Sequence, residues 1–393
     1  MAMNLIFFDG DLRKHLLPFT YTRPLAQMRI GILTIAEKWE KHLETVASYY
    51  TVNYLAAKYK LKIAADNLMI NGALCPDLRL LGKIIELKRG QGLYIGDVLL
   101  AARLSDIDAV EYENKIAERI NYASEVTLID RPWKLFKHNA KELQRDFDLI
   151  TAGRTSANLH STNTVIGDNI FVEEGANAFA ATFNTLDGPI YLGKQTEVME
   201  GTVIRNGLAL CAGSSLKMGA KIYGATTIGP HSKVGGEVSN SIIFGYSNKG
   251  HDGFLGNSVV GEWCNLGADT NTSNLKNNYD EVKLWSYVRN GFTRTGEQFC
   301  GLMMGDHSKC GINTMFNTGT VVGVSANVFG SGFPRNFIPS YAWGGAQGFS
   351  VYQLDKALAT AERVMMRRNI ALNDVEKDIL TTIFEASKEH RSF

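Results

Sequence analysis

Counting in sixes from Leu192 meets Val198, Ile204, Leu210, Leu216, Ile222, Ile228 and Val234, a branched aliphatic residue at every step. Four positions after each come Thr196, Thr202, Leu208, Ser214, Ala220, Thr226, Ser232 and Val238, which are mostly small. A shorter run in a shifted frame precedes them at Ile166, Val172 and Ala178. Another follows at Met304, Cys310, Phe316, Val322 and Val328, with Ser308, Thr314, Thr320 and Ala326 four places on. A period of six is neither helical nor that of a simple alternating strand. It suits a chain wound as a triangular prism, with one short strand and one corner per hexapeptide. The aliphatic side chain then points inward and stacks on its equivalents, and the small residue fits beside it near the corner. Glycines such as Gly193, Gly213, Gly219, Gly224, Gly229 and Gly235 ease the sharp bends. Backbone groups pair with the coils above and below, about 4.8 Å away. No hexapeptide can bury its apolar face alone, so the repeats must stack. A solenoid is expected over residues 160–345.

A chain of 393 residues exceeds what one core usually serves, so a second domain is expected. Residues 1–155 alternate strand-like and helix-like stretches. Leu5 to Phe8, Leu93 to Ile95 and Val126 to Ile129 read as strands. Ile32, Ile35, Ala36, Trp39 and Leu43 mark one helical face, and Leu78, Leu81 and Ile85 another. That alternation favours an open α/β sheet. Residues 346–393 read as a helical tail. Val351, Leu354, Leu358, Ala361 and Met365 share a face, and Asn373 and Asp374 are candidate caps for a second helix. The tail is expected to pack on the solenoid or its neighbour without a dedicated function.

The formal net charge is +1, so no global field draws the chain to nucleic acid or an acidic membrane. A phosphate-bearing ligand must be held by local groups. The five cysteines show no C-x-x-C pairing, which argues against a disulfide framework and a zinc knuckle. The apolar run Leu5 to Phe8 is too short for a signal-peptide core, and no stretch of about 18 apolar residues exists to span a membrane. A cytoplasmic location is the expectation.

Two stretches could carry chemistry. The first, Phe8 to Leu25, reads FDGDLRKHLLPFTYTRPL between an expected strand and helix. It resembles the sugar-nucleotidyltransferase signature L-x-x-G-x-G-T-R, then P-L-T, then K-P-L, with Gly10, Arg13, Pro18, Thr20, Arg23, Pro24 and Leu25 on that frame. The second glycine is missing, the spacing is one residue short, and Arg23 stands for the usual lysine. A strand-to-helix turn would aim backbone N–H groups at phosphate oxygens. The resemblance implies that Gly10, Arg13 and Arg23 bind the nucleotide, the arginines neutralising the triphosphate and the leaving pyrophosphate. The aspartate that holds Mg2+ in such enzymes has no secure match. Ala73 stands where it would fall after Ile70-Asn71-Gly72, and Asp97 is the alternative.

The second stretch is Gly250-His251-Asp252-Gly253-Phe254-Leu255-Gly256, then Asn265-Leu266-Gly267-Ala268-Asp269-Thr270, then Asn274. It resembles the acetyltransferase half of the bifunctional enzymes that make UDP-N-acetylglucosamine, whose pattern is G-H-x-x-Y-L-G, N-[IL]-G-A-G-T and a later asparagine. Archaeal members share a stretch like Gly305 to Asn313. Phe254 and Asp269 depart from the pattern, and the arginine and lysine that grip the sugar phosphate in bacterial enzymes have no clear counterpart. The resemblance implies a left-handed parallel β-helix after an α/β nucleotidyltransferase-like domain. It places His251 as catalytic base, Asn265 and Asn274 on substrate, and the Ala268 N–H toward the thioester oxygen. A neutral imidazole can accept a proton from a sugar amine, and an N–H donor can hold the oxyanion formed on acetyl-CoA. His307 is a second candidate, its alternative reading being a corner residue.

The function expected is transfer of a nucleotidyl group from UTP or dTTP to a sugar 1-phosphate, with Mg2+, by a homotrimer. Acetyl transfer from acetyl-CoA to an amino-sugar phosphate is added at His251. Acetyl transfer alone and a non-catalytic sugar-nucleotide-binding scaffold are the alternatives.

Overall fold

The computed structural model describes residues 4–106 and 108–393. The fold class is the one expected: an α/β sheet unit, a parallel β-helix and C-terminal helices. Two compact units form. The first comprises residues 1–16, 22–28 and 33–130, and the second comprises 17–21, 29–32 and 131–393.

The first unit is built on a six-stranded sheet in the order Ala47–Tyr50, Asn4–Phe8, Asn67–Asn71, Val98–Leu104, Gln91–Ile95, Glu118–Asn121. The first three strands are parallel, and Val98–Leu104 runs against both its neighbours. The continuous apolar run Leu5 to Phe8 is buried, as the inside of such a sheet requires. Helix Ile35–Leu43 starts on a capping box, in which Thr34 Oγ1 accepts the Glu37 N–H and Glu37 returns a carboxylate oxygen to the Thr34 N–H. Trp39 is fully buried on this helix and donates its indole N–H to the Leu74 carbonyl at 2.7 Å. Helix Leu78–Ile85 turns a different face inward from the one expected. Asp77 caps it, which sets Leu80, Ile84 and Leu87 on the buried side and leaves Leu78 77% exposed.

The second unit confirms the period of six. All eight aliphatics from Leu192 to Val234 lie in one buried core, with Met304, Cys310, Phe316, Val322 and Val328. They form columns along three parallel sheets. One column runs Val172, Leu192, Leu210, Ile228, and another runs Ala178, Val198, Leu216, Val234. Ile166 is the exception: it lies at the open end and is exposed, and Phe183 fills the core of that face. The small residues sit at corners, where Thr196 Oγ1 donates to the Gly193 carbonyl at 2.8 Å. At Gly229 a Cβ would overlap the Phe244 carbonyl of the next coil.

After Val234 the coils shorten and the strict count of six is lost. Beyond Asn271–Thr272 the chain leaves the prism for a hairpin, Lys283–Ser286 against Gly291–Arg294. It returns so that Val259 pairs with Met303 and Val260 with Met304. Helix Pro132–Thr151 belongs to this unit, although the expected domain limit was residue 155. On that helix Asn139 accepts the Gly31 N–H and donates to the Ala225 carbonyl. The tail forms helices Leu354–Met366 and Asp374–Ala386, the latter capped by Asn373. All five cysteines are free and buried. Among the described residues no helix is long and apolar enough to cross a membrane.

Leu210→Ala removes one rung of a closed column and should cost about 3 kcal/mol of stability. Met218→Ala, at an exposed site, should change it by less than about 0.5 kcal/mol. Urea denaturation followed by circular dichroism checks both.

Candidate functional site

In the first unit the three parallel strands end together, which is where open α/β sheets bind ligands. Asp9 and Gly10 follow Asn4–Phe8, Thr51 follows Ala47–Tyr50, and Gly72 follows Asn67–Asn71, its N–H donating to the Phe8 carbonyl at 2.9 Å. Gly10 holds a φ of +54°, a left-handed conformation that glycine adopts without strain. Asp9, which the sequence reading passed over, is the hub. Its carboxylate accepts the Leu25 N–H at 2.8 Å and the Thr51 hydroxyl at 2.5 Å, and the Arg13 Nε lies 3.5 Å away. Burial pushes the Asp9 carboxyl above its usual range, opposed by those two hydrogen bonds and by the Arg13 charge. Arg13 is itself buried and donates to the Tyr54 hydroxyl at 2.7 Å. Arg23 is buried in the same segment as Leu25. The nucleotide-binding candidates therefore share one sheet edge, but Arg13 already spends its charge on Asp9.

Asp97 departs from its expected role. It lies in the tight turn between Gln91–Ile95 and Val98–Leu104 and is fully exposed beside Arg119 at 3.3 Å. With the oxygens of Asp9 committed to Leu25, Thr51 and Arg13, and Asp97 at a hairpin tip, these donors do not make a resident magnesium site. Among the described residues no group of three His, Cys, Asp or Glu side chains could hold a metal.

On the solenoid, His251, Asn265 and Ala268 line one groove of about 630 Å³. Its floor is the outward row of one sheet, where Lys233 pairs with Asn248, Asn248 with Asn265, and Asn265 with Lys309. Its other walls include Lys217, Ile312 and the end of helix Leu354–Met366, with Val364, Arg367 and Arg368. Arg368 donates to the Asn248 side chain at 3.3 Å. Five lysines and arginines thus line the groove without a carboxylate among the lining residues. Lys233 is pulled below its usual range by burial and then by the charges of Arg368, Lys217 and Arg367. Burial lowers Lys309 to about 8. Cations crowded this closely repel one another, and an anionic ligand relieves that cost.

These five cations were missed in the sequence. Lys217, Lys233 and Lys309 each adjoin an inward residue of the repeat, so outward basic positions were there to be found. Arg367 and Arg368 sit on the tail, for which no function was expected. Two candidates do not line the groove. Asn274 donates its side chain to Asn257 Oδ1 at 2.8 Å. His307 is a buried corner residue with a φ of +61°. Its ring stacks with Trp263 at 6.3 Å, in a column continued by Tyr246 and His231.

Residues 5–155 match the family model described as sugar nucleotidyl transferase. A bifunctional sugar-1-phosphate nucleotidylyltransferase/acetyltransferase of Sulfurisphaera tokodaii is 26% identical over 146 residues, 37% of this chain and 36% of that protein. The bifunctional protein GlmU of Methanocaldococcus jannaschii is 26% identical over 205 residues, 50% of this chain and 41% of that protein. The chain thus spans well under half the length of either relative. Among solved structures, the polySia-specific acetyltransferase NeuO matches with a TM-score of 0.28 and 12% identity, over 53% of this chain and 94% of that one.

Asp9→Ala should destabilise the first unit by about 3 kcal/mol, because Arg13 loses its buried counter-charge. Asp97→Ala should change stability by less than about 0.5 kcal/mol. Guanidinium denaturation followed by intrinsic fluorescence distinguishes the two.

Proposed function

We propose that this chain is a bifunctional sugar-phosphate transferase. On the solenoid it moves an acetyl group from acetyl-CoA to the amine of an amino-sugar phosphate. In the first unit it joins a sugar 1-phosphate to UTP or dTTP and releases pyrophosphate. The observation that carries the reading is the groove itself, which sets His251, Asn265 and Ala268 among five cations with no carboxylate among the lining residues. Such a wall suits ligands bearing phosphates, as both acetyl-CoA and the acceptor sugar do.

The chemistry follows from the residue types. His251 takes a proton from the sugar amine as its nitrogen attacks the thioester carbon. The C–N bond forms, the carbonyl oxygen becomes an oxyanion, and the Ala268 N–H stabilises it. Collapse breaks the C–S bond, and the CoA thiolate leaves with the proton held on the imidazole. Asn265 orients the acceptor. In the first unit a phosphate oxygen of the sugar attacks the α-phosphorus of the triphosphate, and the P–O bond to pyrophosphate breaks. Gly10 and Arg23 would lie against the phosphates, with Arg13 beside them. A homotrimer and a cytoplasmic setting belong to the same reading, and a monomer by light scattering would count against the first.

One observation favours a narrower reading. Arg13 is held by Asp9 and Tyr54, which suits a first unit that binds a sugar nucleotide without turning it over. Pyrophosphate release from UTP or dTTP with glucose, glucosamine or N-acetylglucosamine 1-phosphate separates the two, since the narrower reading expects none.

Thiol release from acetyl-CoA with glucosamine 1-phosphate tests the solenoid reaction. His251→Ala should lower kcat by about 100-fold or more, and retained activity would refute the base assignment. Arg368→Glu should instead raise KM about tenfold with a smaller change in kcat, because it removes one charge and adds its opposite. The pH dependence has a defined sign. Lys309 carries its charge below about 8 and loses it above, so CoA should bind more weakly at pH 9 than at pH 7 by calorimetry. Lys309→Met should flatten that difference.

A further inference from the structure

One core column of the solenoid contains a charge. Strand register stacks Leu216 on Val234 and Val234 on Lys249, and the pairing of Asn248 with Asn265 sets Lys249 beside Leu266. Leu266 pairs with Cys310, and Cys310 with Val328. Lys249 therefore occupies a position where its neighbours are aliphatic or thiol side chains, and it is 2% exposed. Among the described residues it makes no ion pair. Its ammonium donates to the Gly235 carbonyl and to the His251 carbonyl, each at 2.9 Å.

Those two carbonyls belong to successive coils. The loop from Gly250 to Gly253 lies directly on Gly235 and Gly236: a Cβ on Gly236 would come within 2.9 Å of the His251 carbonyl. Gly253, at a φ of +114°, would meet the Thr270 backbone if it carried a Cβ. The far side of the loop is thus fixed by backbone contact, and the near side by Lys249. Burying an ammonium is costly, and an apolar side chain of similar length would fill the column without that cost. Stability does not account for the lysine.

We infer that Lys249 is a positioning residue for His251, its buried ammonium tying the His251 carbonyl to the preceding coil and so fixing where the imidazole enters the groove. This rests on the reading of His251 as the base. Lys249 is buried and is not among the residues that line the groove. The groups that face it are Asp252 on the same loop, Asp269 on the next coil and the Cys310 thiol in its column; each favours the charged form, while burial lowers Lys249 to about 8. Above that pH the ammonium loses its charge and the tether weakens. Below it the charged form costs stability, which is regained as pH rises from about 8 toward the lysine's ordinary value.

The test uses the full chain with Lys249→Met, which keeps the column filled, and Lys249→Gln, which keeps one short donor. Expected for Lys249→Met are a midpoint of thermal unfolding at pH 7 no lower than wild type, kcat for acetyl transfer to glucosamine 1-phosphate reduced at least tenfold, and KM for acetyl-CoA within twofold. Lys249→Gln should fall between. The wild-type kcat should decline above about pH 8, and that limb should be missing in Lys249→Met. Hydrogen exchange by mass spectrometry should quicken at least fivefold in peptides covering residues 250–254 and stay unchanged over 208–228. Wild-type kcat in Lys249→Met overturns the inference, and so does a reduced kcat with unchanged exchange at 250–254. If Lys249→Met fails to fold, the same two measurements on Lys249→Gln decide. Full activity in His251→Ala would instead remove the base reading, and the exchange contrast would still show whether Lys249 holds the loop.

Discussion

Parallel hydrogen bonding between successive coils is the constraint on which the solenoid depends. Each inner strand, two to four residues long, pairs with the coil before it and the coil after it, so every rung fixes the lateral position of the next. An inward residue then has no freedom but to stack on its equivalent, and an outward residue no freedom but to join a row. The groove is a product of that rule. Lys233, Asn248, Asn265 and Lys309 stand side by side because their strands are in register, although the first and last lie 76 positions apart in the sequence.

That rule also explains what could be read from the sequence. Where three hexapeptides make a coil, as from Leu192 to Val234, the inward positions announce themselves by spacing alone. Where coils shorten, the count slips, and Lys249 escaped notice because no frame of six leads to it. His251, Asn265 and Ala268 were legible because a local pattern marks them. Asn274 matched the same pattern yet lies away from the groove, since the hairpin excursion begins there and takes its side chain to Asn257. Arg367 and Arg368 were not legible at all. Their part in the groove is set by where a helix ends against the solenoid, and no spacing in the chain encodes that.

In the first unit the strands Asn4–Phe8 and Gln91–Ile95 and the helix at Trp39 were visible from apolar runs, whereas the other four strands of the sheet and the electrostatics were not. Gly10, Arg13 and Arg23 could be named from a signature. The fact that Asp9 gathers Leu25, Thr51 and Arg13 around one carboxylate is a tertiary result. Arginine next to a predicted phosphate loop reads as a ligand contact until a buried acid is found beside it.

The hairpin excursion between Thr272 and Met303 shows how such a scaffold grows. Val259 and Val260 meet Met303 and Met304 as though the intervening chain were not there. Closing a longer loop costs only a slowly increasing entropy, and a rung asks nothing of a corner except that both strands arrive in step. Corners are therefore the places where this architecture can absorb new peptide, and with it new surface chemistry, while its interior remains unaltered.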